Sequence, residues 1–178
     1  MVVAKELLGK KLTRKIGNYE MSGTIIETEA YRHKDDPASH AFRNITDRNK
    51  VMFGEVGIAY VYFTYGMHYC FNVVAKKMKV PAGAVLIRGI IPEKGIKKMQ
   101  ENRNIKNLKN LTNGPAKLTQ ALEITKEQYG VDLTKKSKIY ICYSNFSKHY
   151  LVSVCNISKC MTSRIIFVPI CFCFNDGS

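Results

Sequence analysis

The chain of 178 residues is 46% hydrophobic and 24% charged, values typical of one soluble globular domain with little room for a second. Lys and Arg number 28 against 14 Asp and Glu, and the net charge of +14 favours phosphate backbones or anionic membrane surfaces as partners. The longest apolar run, residues 165–174, is too short to span a bilayer, and no apolar stretch of a secretory signal follows Met1. We therefore expect a cytoplasmic protein.

The beginning of the chain is predicted to form a short helix that ends near Gly9, followed by two strands. A turn at residues 17–18 separates the first strand from the second. The second strand contains TIIETEAY, residues 24–31, which places two carboxylates in a strand of a very basic protein.

Those two carboxylates lie on one face of the strand. Since side chains two residues apart point to the same side, Glu27 and Glu29 are predicted to share a face with Ile25 and Tyr31, and to lie roughly 6.5–7 Å apart. One interpretation is an acid and base pair of the kind that flanks a glycosidic bond. The other is an ion pair with Arg or Lys of a neighbouring strand. The residues by themselves leave both open and do not distinguish Glu27 from Glu29.

A long polar loop, residues 32–50, follows that strand, and long ordered loops tend to be functional. The loop contains a Pro and three Arg. A lone His is most often structural, but His40 together with Tyr31 can also form the walls of an aromatic slot beside a Glu.

Two β-prone runs, residues 59–64 and 69–74, flank YGMH at residues 65–68, which predicts a β-hairpin with Gly66 in its turn. Large side chains at an exposed tip mark a contact surface, and in a basic protein an aromatic tip can act as a wedge between base steps. The alternative is a tip that folds back onto the core. Asn72, in the returning strand, is an amide among apolar residues and needs hydrogen-bond partners if buried.

A further strand is predicted at residues 84–88, AVLIR, with its end at Arg88. An Arg at a strand end most often lies on the surface, but it can instead hold a carboxylate or a water molecule. A helix is predicted to begin at Pro92 and Glu93 and to continue through IKKMQENR.

A second helix is predicted after Gly-Pro in NGPAKLTQAL, with an apolar stripe of Leu118, Ala121 and Leu122. Because strands come first and helices come late, the order of elements predicts an α+β fold with a largely antiparallel sheet.

The end of the chain differs in composition from the rest. Residues 142–178 hold five of the six Cys and a single acidic residue, Asp176. Their C-x4-C and C-x-C spacings, without a paired C-x2-C, argue against a zinc or iron–sulfur site. We expect reduced thiols, no metal and no cofactor.

Five stretches resemble one known family: GTIIETEAY, DPASHAFR, RNKVMFGEVGIAYVYFTYGMHYCFNVV, AVLIRGIIP and NGPAKLTQAL. They are similar to the 3-methyladenine DNA glycosylases of the alkyladenine type, which are distinct from the helix-hairpin-helix glycosylases. The resemblance covers residues 5–133, in family order. It implies a single α+β domain with a mostly antiparallel, curved sheet, peripheral helices and a protruding β-hairpin.

The resemblance also implies an activity and a partner. The family comprises monofunctional DNA glycosylases of base excision repair, which flip alkylated purines out of duplex DNA and hydrolyse the N-glycosidic bond. The expected partner is double-stranded DNA with alkylated bases. The expected protein is a monomer, associated with the nucleoid if its source is bacterial.

By the same resemblance, Glu29 matches the residue that activates the hydrolytic water, and Arg88 matches the residue that helps hold that water. Glu27 is expected to be structural. The flipped base is expected to contact Tyr31, His40, Tyr62 and Asn72.

The residues expected to contact DNA lie in the hairpin and in the polar loop. Tyr65 matches the wedge that fills the gap left by the flipped nucleotide, and Met67 and His68 lie where the hairpin enters the minor groove. Arg43 and Arg48 are expected to contact phosphates.

The resemblance ends near residue 137, because the chain lacks the R-I-G and P-W-R-F segments of the family and has no Trp. We therefore divide the chain into a glycosylase-like domain, residues 1–141, and a divergent tail, residues 142–178, that is frameshifted or degenerate. A frameshift predicts that the missing segments occur in another reading frame of the gene.

Two other functions stay open. One is a catalytically impaired, DNA-binding remnant of the family, which keeps the wedge and the positive charge. The other is a carbohydrate-active glycosidase that uses Glu27 and Glu29.

Overall fold

A computed structural model describes residues 2–144 and the short strand Val154–Cys155. The strands described are β1 (Lys11–Ile16), β2 (Tyr19–Tyr31), β3 (Ala59–Thr64), β4 (His68–Val74), β5 (Ala84–Lys94), β6 (Ile139–Cys142) and β7 (Val154–Cys155). The helices described are α1 (Val2–Leu7), α2 (Ile96–Arg103) and α3 (Pro115–Ala121), with 3₁₀ turns at Lys50–Phe53, Leu108–Asn110 and Lys126–Gln128.

The described strands form one sheet in the order β3-β4-β5-β2-β1-β6, in which every neighbouring pair is antiparallel. Strand β7 lies off this path and pairs in parallel with β2, with Cys155 in register with Glu29. The helices lie at the periphery of this sheet. The predicted α+β fold with a mostly antiparallel sheet is therefore confirmed.

The first elements of the chain form as predicted. Helix α1 ends at Leu7, and the chain turns at Gly9, which has a φ of 79°. Gly17 has a φ of 53° in the turn that joins β1 to β2. The hydroxyl of Thr28 donates to the carbonyl of Ala4 over 2.9 Å, which fastens α1 to the strand that carries the two carboxylates.

The main hydrophobic core lies between one face of the sheet and the helices. The predicted stripe of α3 is confirmed, because Leu118, Ala121 and Leu122 are fully buried in this core. Burial of one such Leu stabilises the fold by about 1.5–3 kcal/mol. A second, smaller cluster covers part of the opposite face and includes Met52 and Tyr60.

A β-bulge in β2 changes which side chains share a face. Ile25 pairs with Ile90 and Glu27 pairs with Gly89, so Ile26 is an extra residue of β2 at this point. The extra residue reverses the alternation of side chains. Ile25 lies in the main core, and the prediction that it shares a face with Glu27 is wrong.

A second bulge lies directly opposite, in β5. Glu27 pairs with Gly89 and Thr28 pairs with Ile87, so Arg88 is the extra residue of its strand. Bulges are common beside active sites, where they redirect a side chain. Here the two bulges bring Arg88 against the carboxylate face of β2.

Strand β5 continues beyond its predicted end at Arg88, and helix α2 begins at Ile96 rather than at Pro92. Pro92 pairs with Gly23, where a Cβ would collide with the main-chain oxygen of Ile91. The strand ends at Lys94, and the chain turns into α2 at Gly95, whose φ of 72° is easily adopted by Gly.

No helix among the described residues is both long and apolar enough to cross a membrane. The predicted divergent tail lies outside the described residues, apart from residues 142–144 and the backbone of β7.

Candidate active site

One row of paired residues crosses four strands on the face opposite the main core. Tyr60 of β3 pairs with Asn72 of β4, Asn72 pairs with Leu86 of β5, and Leu86 pairs with Glu29 of β2. Paired residues of neighbouring strands point to the same side of a sheet. Because strands lie about 4.8 Å apart, Glu29 is roughly 10 Å from Asn72 along this row.

A cavity opens above this row and encloses about 280 Å³ of empty space, part of it open to solvent. The residues that line it are Tyr31, Ala38, His40, Met52, Tyr60, Tyr62, Asn72 and Ala84. All four side chains that were expected to contact a base therefore meet at one cavity.

Aromatic rings form much of the wall. The ring of His40 packs edge-on against Tyr62, with 4.5 Å between centroids, and Tyr60 lies 5.3 Å from Tyr62. Nδ1 of His40 lies 2.8 Å from the hydroxyl of Tyr60. The side-chain amide of Asn72 is buried and donates to the carbonyl of Tyr60 over 3.0 Å.

The charge state of this wall is set by burial. Burial lowers the pKa of His40, and the nearby guanidinium of Arg48 lowers it further, so the imidazole is neutral at neutral pH. Burial raises the pKa of Tyr31, Tyr60 and Tyr62, so their hydroxyls stay protonated. The cavity is thus lined by uncharged, electron-rich rings.

Glu27 and Glu29 of β2 both bond to a single guanidinium. Nε of Arg88 donates to Oε1 of Glu27 over 2.9 Å, and Nη1 of Arg88 donates to Oε2 of Glu29 over 2.8 Å. Glu29 is 3% exposed and Glu27 is 35% exposed. The resemblance singled out Glu29, and burial separates it from Glu27 in the fold.

Opposing effects act on the protonation of Glu29. Burial raises its pKa, while the charge and hydrogen bond of Arg88 lower it, and the charges of Glu27 and Asp36 raise it again. The net result is a pKa above the ordinary value of a Glu. For Arg88, burial acts to lower the pKa, but the two carboxylates outweigh it and the net pKa is raised.

The tip of the hairpin is exposed and does not fold back onto the core. Tyr65 is 89% exposed and Met67 is 66% exposed, whereas His68 is half-buried. Tyr65 and Gly66 have φ values of 52° and 67°, as in the primed turns of tight hairpins. A positive φ is unfavourable for Tyr, so the turn holds a bulky ring outward at some cost in backbone strain.

The two Arg of the polar loop that were expected to contact phosphates, Arg43 and Arg48, have different surroundings. Arg43 is exposed. Arg48 donates from Nη2 to the carbonyl of Phe63 over 3.1 Å, and its guanidinium lies 5.0 Å from the ring centroid of Tyr62. Arg48 therefore packs against Tyr62 of the cavity wall, while the side chain of Arg43 is accessible to anions in solution.

Sequence reasoning missed two residues of the site, Tyr60 and Asn49. Tyr60 shares a strand face with Tyr62 by the two-residue period, which was a usable signal. Asn49 is buried and donates to the carbonyls of His40 over 2.7 Å and Asn44 over 3.0 Å, while its own oxygen accepts from the amide of Thr46 over 2.7 Å. No local sequence pattern predicts these hydrogen-bond partners of Asn49.

Within the described ranges, no group of three or more His, Cys, Asp or Glu side chains is arranged to hold a metal ion.

Comparison with known proteins gives the site a context. The family described as Methylpurine-DNA glycosylase (MPG) matches residues 1–159, which extends past residue 141. A protein of Carboxydothermus hydrogenoformans is 52% identical over 141 residues, which cover 79% of this chain and 73% of that protein. Proteins of Francisella tularensis subsp. tularensis (strain SCHU S4) and Natranaerobius thermophilus are 49% and 45% identical, covering 80% and 84% of this chain and 73% and 77% of theirs. All three are named "Putative 3-methyladenine DNA glycosylase".

Proposed function

The chain belongs to the methylpurine-DNA glycosylase family, and on that premise we propose that it is a monofunctional DNA glycosylase of base excision repair. It flips an alkylated purine out of duplex DNA and hydrolyses the N-glycosidic bond. The observation that carries the proposal is the buried carboxylate of Glu29, bonded to Arg88 on the same sheet face as an aromatic cavity.

Substrate access requires base flipping, because the glycosidic bond of a stacked nucleotide cannot be reached inside the duplex. Unstacking costs a few kcal/mol, and a side chain that fills the vacated stack recovers part of it. Tyr65 is the candidate for this wedge because it is large and exposed at the tip of a hairpin. Met67 is also exposed in the same hairpin, and its proposed role is to enter the minor groove.

Base recognition follows from charge. A purine alkylated at N3 or N7 is cationic, and the faces of Tyr31 and Tyr62 attract it by about 0.5–2 kcal/mol each. A neutral His40 adds no repulsion to that cation. Asn72 lines the cavity, and its proposed role is to screen purines by their exocyclic groups.

Bond cleavage then requires little acid catalysis, since the cationic purine is already a good leaving group. Glu29 acts as general base, taking a proton from the water that attacks C1′, and Arg88 orients that water. A raised pKa strengthens the carboxylate as a base, while the charge and hydrogen bond of Arg88 favour its ionised form. The mechanism uses no Lys nucleophile, so base removal leaves the DNA strand intact.

DNA affinity comes from the net charge of +14 and from loop residues such as the exposed Arg43. Neutralised phosphates release counterions, so affinity is expected to fall steeply as salt concentration rises.

The deciding experiment measures abasic-site formation on a duplex with one alkylated purine, for the wild type and Glu29→Gln. Glu20→Gln is a matched control, because Glu20 lies on the same strand but pairs with Lys15 and Lys94. We expect Glu29→Gln to lose about 10²–10⁴-fold in single-turnover rate, with DNA binding retained and Glu20→Gln unchanged.

Strand cleavage without alkali by the wild type would contradict a monofunctional enzyme. Salt-sensitive binding by the wild type without base release would identify the impaired, DNA-binding remnant instead.

A further inference from the structure

Glu27 and Glu29 hold the guanidinium of Arg88 from two directions. Nε of Arg88 bonds to Glu27 and Nη1 bonds to Glu29, at 2.9 Å and 2.8 Å. A guanidinium is planar and rigid, so two anchored nitrogens fix its orientation and direct its remaining N–H groups. With Glu29 as the only anchor, the plane of Arg88 could rotate about that one bond.

The fold provides this geometry through the two facing bulges. Ile26 is the extra residue of β2 immediately before Glu27, and Arg88 is the extra residue of β5 immediately before Gly89, the partner of Glu27. Arg88 lies between Ile87 and Gly89, the partners of Thr28 and Glu27, and from this position its side chain bonds to both carboxylates. Glu27 is therefore built into the site and is not a surface residue that meets an Arg by chance.

The two carboxylates differ in their access to water. Glu27 is 35% exposed, so solvent stabilises its charge, whereas Glu29 is 3% exposed and depends on Arg88. Two carboxylates and one guanidinium sum to a charge of −1. This net negative charge lies on the face of the sheet where the proposed reaction develops positive charge on the sugar.

From this geometry we propose that Glu27 is a positioning residue of the reaction: it orients Arg88 and sets the proton affinity of Glu29. The inference rests on the proposed function, because it deepens the role of the same site. A plain surface ion pair predicts the opposite, namely that removal of Glu27 changes neither Arg88 nor Glu29.

Several ionisable groups surround Glu29, and each must be considered in its titration. They are Arg88 from β5, Glu27 and Tyr31 from β2, Asp36 from the polar loop and Cys70 from β4. Tyr31 and Cys70 stay neutral because burial raises the pKa of both. In the described part of the chain, Arg88, Glu27 and Asp36 are therefore the neighbours whose charges act on Glu29, and Glu27 is bonded to the same guanidinium as Glu29.

Two substitutions separate charge from position. Glu27→Gln removes the charge but keeps an oxygen that accepts from Nε of Arg88, whereas Glu27→Ala removes both. Without the like charge of Glu27, the pKa of Glu29 falls, so the acidic limb of the pH–rate profile moves to lower pH in Glu27→Gln, where Arg88 stays in place. We expect the plateau rate to fall a few-fold in Glu27→Gln and about ten- to a hundred-fold in Glu27→Ala, where Arg88 is misplaced.

The rate is measured in single turnover on alkylated duplex DNA between pH 4 and pH 9, with Glu20→Gln as control and thermal unfolding to verify folding. A second readout needs no activity: the pH titration of the Glu29 carboxyl carbon by ¹³C NMR, in the wild type and in Glu27→Gln. We expect the titration midpoint of Glu29 to be lower in Glu27→Gln than in the wild type.

The inference is overturned if that midpoint stays where it is in the wild type, or if folded Glu27→Ala releases base at the wild-type rate. Absence of base release by the wild type overturns the proposed function instead, and the NMR titration still decides the electrostatic part of the inference.

Discussion

The hydroxyl of Tyr60 and Nδ1 of His40 lie 2.8 Å apart, one on the edge strand β3 and the other on the polar loop. Burial raises the pKa of Tyr60, and the guanidinium of Arg48 lies beside its hydroxyl, favouring that oxygen as acceptor. We therefore expect the hydroxyl proton to be donated to His40. This direction would keep Nδ1 of the imidazole unprotonated and leave its proton on Nε2.

Tyr60→Phe is expected to change the pKa and the tautomer of His40. A hydrogen bond donated to Nδ1 stabilises the neutral imidazole, so its loss raises the pKa of His40 and permits both tautomers. ¹⁵N NMR of the His40 ring across a pH titration measures both quantities. If the pKa and the tautomer of His40 in Tyr60→Phe are the same as in the wild type, Tyr60 only packs against the ring. His33→Gln is a control, because His33 bonds to the carbonyl of Ala41 and not to Tyr60.

Base release is expected to be lost at acidic pH, at a midpoint above the ordinary pKa of a Glu. Glu29 is the proposed base, and its raised pKa means that it is protonated, and inactive, at higher pH than an exposed Glu. The pH dependence of the single-turnover rate measures this limb. A rate that stays flat down to the ordinary pKa of a Glu would exclude Glu29 as the base.

The same raised pKa has a consequence for stability, with a definite sign. A group whose pKa is higher in the folded state than in the unfolded state stabilises the fold while it is protonated. That contribution is lost as pH rises through the folded-state pKa. We therefore expect Glu29→Gln to be more stable than the wild type at neutral pH. The difference should shrink as pH falls through the folded-state pKa and should vanish below the unfolded value of about 4.3.

Denaturant unfolding of both proteins at several pH values tests this relation. If Glu29→Gln is less stable than the wild type at neutral pH, the ion pair with Arg88 outweighs the cost of burying the charge.

Substitution of Tyr65 is expected to separate stability from activity. Tyr65 has a φ of 52°, a conformation that costs about 1–2 kcal/mol for a residue other than Gly. Tyr65→Gly removes both the strain and the wedge, whereas Tyr65→Ala removes the wedge and keeps the strain. We expect Tyr65→Gly to unfold at a higher temperature than Tyr65→Ala, while both lose base flipping.

A fluorescent base analogue next to the damaged nucleotide reports the flipping step, and thermal unfolding reports stability. Base flipping at the wild-type level in either Tyr65 variant would show that Tyr65 is not the wedge.

Asn49 is expected to hold the polar loop in place. Its amide donates to the carbonyls of His40 and Asn44, so Asn49→Asp replaces a donor with a negative charge facing two carbonyl oxygens. Loss of these buried bonds is expected to destabilise the fold by about 2–3 kcal/mol. Because the loop carries His40, the variant should also bind damaged DNA more weakly than Asn113→Asp, an exposed control. Thermal unfolding and equilibrium binding measure the two effects.

Much of the architecture could be predicted from local patterns. The buried stripe of α3 follows from helical periodicity, and the hairpin follows from two β-prone runs around Gly66. The shared face of Glu29 and Tyr31 follows from the two-residue period of a strand. Each of these features depends only on residues that are close in sequence, so the chain by itself determines them.

Other features depend on contacts between residues that are far apart in sequence, and local patterns do not contain them. The bulges at Ile26 and Arg88 arise from the register between β2 and β5, and they move Ile25 into the core. Strand β5 continues through Pro92 because Gly23 of β2 permits the close approach.

The chain by itself therefore determined the fold class, the hairpin and the family, since periodicity and motif order are local properties. Only the tertiary structure decided that Glu27 and Glu29 meet one guanidinium, and that Tyr60 bonds to His40. The physical reason is that hydrogen bonds between strands and loops depend on register and loop path. Those are set by the packing of the whole sheet and not by any one segment.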